Sequence, residues 1–230
     1  MLTEHCGLKR GAAVLEIGPG AGQVTRRLLN LGARVVAVEP DPGMAAYLTQ
    51  TFDGADLEII GNTFEDATLG DDSFDLAVAA TSFHWVDPAV GVPKLGRVVR
   101  PGGWAAIWWT IFYDPDRPDP YREATSGLLP GEDPDGQRGR SQFQLDADGR
   151  RTDLQRLGML VDVESKIIQW TCRLDSDQVR ALYASMIEIR RRTRPEQARL
   201  LEALSALARD RFGGVVDLPF VTALYTGRRP

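Results

Sequence analysis

Cysteine and histidine are scarce in this chain of 230 residues, at two each. Two isolated thiols, Cys6 and Cys172, make neither a disulfide framework nor a zinc site, and they suit a reducing compartment. Nothing approaches the roughly 18 consecutive apolar residues of a membrane span. The start of the chain also lacks the apolar core of a signal peptide, so a soluble, cytoplasmic protein is expected. Basic residues are not in excess: the formal net charge is −5, which argues against a dedicated nucleic-acid binder. There is no Gly-x-Ser-x-Gly nucleophile elbow, no metal-ligand cluster, no internal repeat and no low-complexity run.

What remains is an ordinary globular composition, 43% hydrophobic and 26% charged, in 25.3 kDa. That length suits one α/β domain with a full core and a small cap. The charge is unevenly spread. Residues 1–150 hold 13 Lys+Arg against 22 Asp+Glu, net −9, and residues 151–230 hold 14 against 10, net +4. A basic remainder is compatible with an anionic substrate.

The most informative stretch is Val14 to Thr25, an apolar strand that passes through Gly18-Pro19-Gly20-Ala21-Gly22 into a helix with Val24, Leu28 and Leu31 on one face. Glycines at such a joint permit a tight backbone path and let a ligand lie against the main chain, at a helix end that favours negative charge. Dinucleotide loops of the form G-x-G-x-x-G would need glycine at 18, 20 and 23, but position 23 is Gln. The spacing is instead Glu-x-Gly-x-Gly-x-Gly, with Glu16 where strand becomes loop. A carboxylate there argues against a pyrophosphate and for a ligand with ammonium and sulfonium groups; the alternative is a solvated strand-end acid.

At this point the sequence resembles the class I S-adenosylmethionine-dependent methyltransferases, whose first motif has this form. The resemblance implies a doubly wound α/β fold: a mostly parallel seven-stranded sheet with an antiparallel edge hairpin and a small helical cap. It implies S-adenosyl-L-methionine as cofactor, S-adenosyl-L-homocysteine as product and a small-molecule acceptor, with no nucleic-acid or membrane partner. Of the cofactor residues, Gly18, Gly20 and Gly22 would admit it, and Glu16 would lie near its amine. Ala33 to Val38 reads as a second parallel strand ending at Glu39-Pro40, and ligands bind at that end of open α/β sheets. Glu39 is suited to accept both ribose hydroxyls, or else to neighbour a helix N-cap. After a third strand, Leu57 to Ile60, the resemblance assigns Phe64 and Glu65 to the adenine, with Asp66 an equally available acid.

A fourth strand ends at Thr81-Ser82-Phe83-His84-Trp85, a run resembling the branch of ubiquinone-pathway, biotin-pathway and trans-aconitate methyltransferases. Thr81 is assigned to the cofactor; Phe83, His84, Trp85, Trp108 and Tyr113 are the candidates for a substrate pocket. His84 could take a proton from an attacking substrate, or be a packed residue that shapes the pocket. Trp108 and Trp109 alternate on the fifth strand, Trp104 to Thr110, so only one can face the pocket. The run Arg97 to Gly103 reads as a tight turn from helix into that strand.

The expected organisation is a single domain over residues 1–230: a cofactor core to residue 110, a loop or lid over 111–150, and edge strands with an inserted helical pair over 151–230. Tyr113, Tyr121 and Phe143 could line an entrance beneath such a lid, or the segment could be a surface excursion. The ten residues before the first strand are few for this family, so a shortened cofactor lid is expected. Arg190, Arg191, Arg192 and Arg194 suit RNA or a phosphate or, more simply, a solvated helix end. Two rival readings of the whole are a nicotinamide-dependent oxidoreductase and a non-catalytic cofactor-binding module or partner subunit.

Overall fold

A computed structural model describes residues 2–129, 144–155 and 159–230. The chain order is β1 (Ala13–Ile17), α1 (Gln23–Asn30), β2 (Arg34–Val38), α2 (Pro42–Thr51), β3 (Leu57–Ile60), β4 (Phe74–Ala80), a 3₁₀ turn (Phe83–Trp85), α3 (Pro88–Val98) and β5 (Val99–Ile111). Then come α4 (Pro120–Thr125), α5 (Ala147–Gln155), β6 (Val161–Asp175), α6 (Ser176–Ser185), α7 (Ile187–Arg190), α8 (Arg194–Phe212) and β7 (Val215–Arg228). The seven strands form one sheet in the order β3-β2-β1-β4-β5-β7-β6.

Strands β1 to β5 pair in parallel. Their chain order therefore reverses between β1 and β4, which opens a crevice at the carboxyl ends of those two strands. One strand, β7, runs the other way, between β5 and β6. Gly102 N–H donates to Arg229 O and Arg229 N–H to Gly103 O, setting the start of β5 against the end of β7. Arg228 pairs with Asp162, and Arg173 with Asp217, so β6 and β7 are also antiparallel.

The contacts divide the chain into two compact units. The first comprises Met1–Thr110, Phe143–Ile167 and Ala223–Pro230. Side chains alternate across its sheet as strand geometry requires. Leu15, Ile17, Ala105, Ile107 and Trp109 share one core with α3 and α5, while Val14, Val35, Leu76, Ala106 and Trp108 share another with Leu28 of α1. Helix starts follow their caps: Asp41 accepts from Met44 N–H at 2.8 Å ahead of Pro42, and Asp87 accepts from Ala89 N–H at 2.9 Å ahead of Pro88.

The second unit comprises Ile111–Gln142 and Ile168–Thr222. Its core gathers Tyr121, Val179, Tyr183, Leu204 and Phe220. Reciprocal capping boxes start α6 (Asp175 with Gln178) and α8 (Thr193 with Glu196), and Gly213 at φ +65° ends α8.

Several local readings change. Pro101-Gly102-Gly103 is not a turn ahead of β5 but a loop-out within it. Phe74 pairs with Val99 and Leu76 with Trp104, so β5 takes five steps where β4 takes two, and Gly102 absorbs the excess at φ +80°. Helices α4 and α5 occupy part of the stretch expected to be loop, where short polar helices leave no apolar period to read. Tyr121 is not at an entrance: it is buried, and its hydroxyl donates to Leu204 O at 2.7 Å. Tyr113 lies in the second unit with the Arg122 guanidinium 4.4 Å above its ring. Phe143 lies outside the described residues.

Candidate active site

The crevice between β1 and β4 is shaped by what its glycines exclude. Gly18, at φ +66°, lies under Ser82, whose hydroxyl donates to Ile17 O; a Cβ on Gly18 would sit 2.6 Å from Ser82 Cβ. Gly22, at φ +77°, is the N-cap of α1, and a Cβ there would meet Phe52 at 2.5 Å. These two glycines are demanded by packing. Gly20 differs: at φ +53°, it has no atom within 4 Å of where a Cβ would stand. Its open face borders the groove, where only a ligand would feel an added methyl.

Glu39 directly follows β2 and is 6% exposed. One carboxylate oxygen accepts from Gly20 N–H at 3.0 Å and the other from Asp41 N–H at 3.0 Å, which fastens the glycine loop to β2. A carboxylate has about four lone-pair sites, so roughly two remain for a ligand's hydroxyls. Around it Gly18, Gly20, Glu39, Pro40, Phe64, Glu65, Thr81 and Trp85 line a groove of ≈ 730 Å³ with Asp66 and Ser82. Glu65 accepts from Asp87 N–H at 2.8 Å, whereas Asp66 accepts from the Thr63 hydroxyl at 2.9 Å. Thr81 stands at φ +57°, a strained conformation for a β-branched residue, at the point where β4 meets the groove. The groove fits an adenosine-containing ligand: a carboxylate for the sugar hydroxyls, an unobstructed backbone at Gly20 and an aromatic face at Phe64.

Glu16 is placed differently from the other predicted residues. It is 1% exposed and points to α1, accepting from the Thr25 hydroxyl at 2.7 Å and from the Thr25 backbone N–H, and so does the work of a missing N-cap side chain. Burial pushes its pKa up to about 7, against the hydrogen bonds from Thr25. Neither Glu16 nor Gly22 lines the groove.

A second cavity, ≈ 260 Å³, lies on the other side of the 3₁₀ turn. Phe83 and His84 face it, Trp85 faces the groove with 83% of its surface exposed, and Val86 borders both. Its floor is Trp109, not Trp108, which lies on the opposite face of the sheet with α1. Trp109 Nε1–H donates to His84 Nδ1 at 3.2 Å, and partial burial lowers the His84 pKa. Arg150 and Asp153, an ion pair at 3.0 Å on α5, complete the wall with Leu154 and Tyr225.

Three contributors escape sequence reasoning. Arg150 and Asp153 come from a polar helix without an apolar stripe. Lys94, 7% exposed within α3, donates to Glu65 O at 2.9 Å and to Ala67 O, with Nζ 5.3 Å from the centre of the Phe64 ring. It pins the β3–β4 loop that forms the groove wall. A lysine amid Val92 and Leu95 on a helix pattern was the one available signal. Among the described residues, no three His, Cys, Asp or Glu stand together as a metal site, and no helix is long and apolar enough to cross a membrane.

Residues 15–107 match the model of a methyltransferase domain. An uncharacterized methyltransferase of Mycobacterium tuberculosis is 42% identical over 100 residues, 42% of this chain and 39% of that protein. The chloroplastic ribosomal RNA small subunit methyltransferase of Arabidopsis thaliana is 47% identical over 55 residues, 24% of this chain and 16% of that one. The matches thus span well under half the length of these curated relatives. Among solved structures, phosphoethanolamine N-methyltransferase 2 of Haemonchus contortus, in complex with phosphomonomethylethanolamine and S-adenosylhomocysteine, shares the fold. Its TM-score is 0.58 at 14% identity, over 96% of this chain and 49% of that one. Residues 15–107 thus carry a methyltransferase domain, on a sheet whose fold is shared by solved methyltransferases.

Proposed function

We propose that the chain binds S-adenosylmethionine in the groove beside Glu39 and transfers its methyl group to a small molecule held in the cavity beside His84. The observation that carries this is the pairing of the two spaces: a groove that holds the Glu39 and Glu65 carboxylates and a cavity beside His84, which share Val86 and are separated only by Phe83-His84-Trp85. Glu39 holds the ribose, Gly20 lets the ligand approach the main chain, and Phe64 and Glu65 frame the adenine. When bound, the cofactor supplies an electrophilic methyl on a sulfonium. The chain's contribution is positioning and exclusion of water, with no covalent enzyme intermediate. Glu16 acts from behind, by holding the first turn of α1 in place.

Relatives named for ribosomal RNA make the acceptor class the open question. A cavity of ≈ 260 Å³ with apolar walls accommodates one compact molecule, and net −9 over residues 1–150 opposes a polyanion at the cofactor half. The test has two steps. Calorimetric titration should give micromolar binding of S-adenosylmethionine and S-adenosylhomocysteine, about −8 kcal/mol, and none with NAD. Incubation with methyl-tritiated cofactor should then label the low-molecular-weight fraction of a cell extract. Label in purified RNA, or no cofactor binding, would overturn the proposal.

A further inference from the structure

We infer that His84 is a hydrogen-bond donor through Nε2–H, not a base, and that its cavity selects an uncharged, mostly apolar acceptor bearing a hydrogen-bond-accepting oxygen. The inference rests on reading this cavity as the acceptor site.

An indole N–H can only donate, so the 3.2 Å contact from Trp109 obliges His84 Nδ1 to present its lone pair. The neutral ring then carries its one proton on Nε2. Protonating Nδ1 would set one N–H against another, and partial burial opposes the imidazolium in the same direction. Trp109 is held in place: it is 4% exposed, with its ring edge-on to Tyr225 at 5.9 Å. Nε2 has no partner among the described residues, in a ring that lines the cavity.

The remaining polar groups of the wall set the charge of the ligand. Arg150 and Asp153 offset each other at 3.0 Å, so an anion would have to compete with Asp153 and a cation with Arg150. The Tyr225 hydroxyl already donates to Gln144 O at 2.7 Å. Phe83, Val92, Ile107 and Leu154 supply only apolar surface. The arrangement satisfies a neutral molecule that places one oxygen at His84 and hydrocarbon elsewhere. Burying a charge there without a partner would be costly.

The test uses the full chain, labelled with ¹⁵N and saturated with S-adenosylhomocysteine. The chain has two histidines, so long-range ¹H–¹⁵N spectra of the wild type and His84→Phe assign the ring. At pH 7 His84 should show the Nε2–H tautomer, and Trp109→Phe should release it to a tautomer mixture. Acetophenone, cumene and benzoate then probe the cavity: a neutral oxygen acceptor, a shape-matched hydrocarbon and an anion. Acetophenone should bind about two- to tenfold tighter than cumene, as one net hydrogen bond allows, and should shift Nε2. His84→Phe should erase that preference, and benzoate should bind more weakly than acetophenone. An Nδ1–H tautomer or an imidazolium at pH 7, equal binding of acetophenone and cumene, or tighter binding of benzoate would each overturn the inference. Failure of S-adenosylhomocysteine to bind would instead strike the methyltransferase reading, and the tautomer would still be read on the free chain.

Discussion

Replacing Glu16 by Gln should make the protein more stable in base and not in acid. Burial raises the Glu16 pKa from an ordinary 4.5 to about 7, despite the Thr25 hydrogen bonds. Between those values the folded chain holds a proton that the unfolded chain has released. Stability from this group is therefore complete below pH 4.5, falls as pH rises, and is fully lost above pH 7. Integrated between pH 5 and pH 8, the loss is about 2–3 kcal/mol. Gln keeps the shape and an oxygen for Thr25 but cannot ionise, so it is exempt from that slope. Any constant cost of burying its amide cancels when the two pH values are compared. Thermal melts of both proteins should show the variant gaining about 5–10 °C on the wild type between pH 5 and pH 8, given roughly 2–4 °C per kcal/mol at this size. Parallel melting temperatures across that range would refute the claim that Glu16 is buried and held by Thr25.

The glycine loop divides into packing and ligand positions. Gly22→Ala should cost about 1–3 kcal/mol of stability against Phe52 and Leu48, whereas Gly20→Ala should cost about 1 kcal/mol and weaken S-adenosylhomocysteine binding more than tenfold. Equal affinity in Gly20→Ala, by calorimetry, would remove the ligand from that face. Glu39→Ala strips the partner from Gly20 and Asp41 N–H and should weaken the same binding at least tenfold; an unmoved dissociation constant would end the ribose assignment. Lys94→Met leaves the Glu65 and Ala67 carbonyls without their donor and should cost about 2–3 kcal/mol by urea unfolding. Unchanged stability would show that the β3–β4 loop holds itself.

What the sequence made legible was local and periodic. The strand–glycine–helix joint and Glu39 could be placed because apolar runs announce parallel strands, and a parallel sheet puts their carboxyl ends side by side. The resemblance named Phe64, Glu65 and Thr81 for the cofactor, and all three line the groove; Trp85, expected in the substrate pocket, lines the groove instead of the cavity. The sequence could not say which way Glu16 turns, because spacing fixes the face of a strand but not whether a neighbour such as Thr25 captures the side chain. Alternation separated Trp108 from Trp109 without choosing the one beneath the cavity; that depends on which face α3 and α5 cover. Arg150 and Asp153 meet the cavity through tertiary placement alone, 66 and 69 residues beyond His84.

The two spaces draw on different parts of the chain. Every residue lining the groove falls within 17–86, whereas the cavity takes Trp109, Arg150, Asp153, Leu154 and Tyr225 from beyond the 15–107 methyltransferase match. On the proposed function, one stretch of sequence supplies the methyl donor's seat and another furnishes much of the acceptor's. Selection can rewrite the second without disturbing the first, so a relative matched only over the donor half is a guide to the donor and no guide to what receives the methyl.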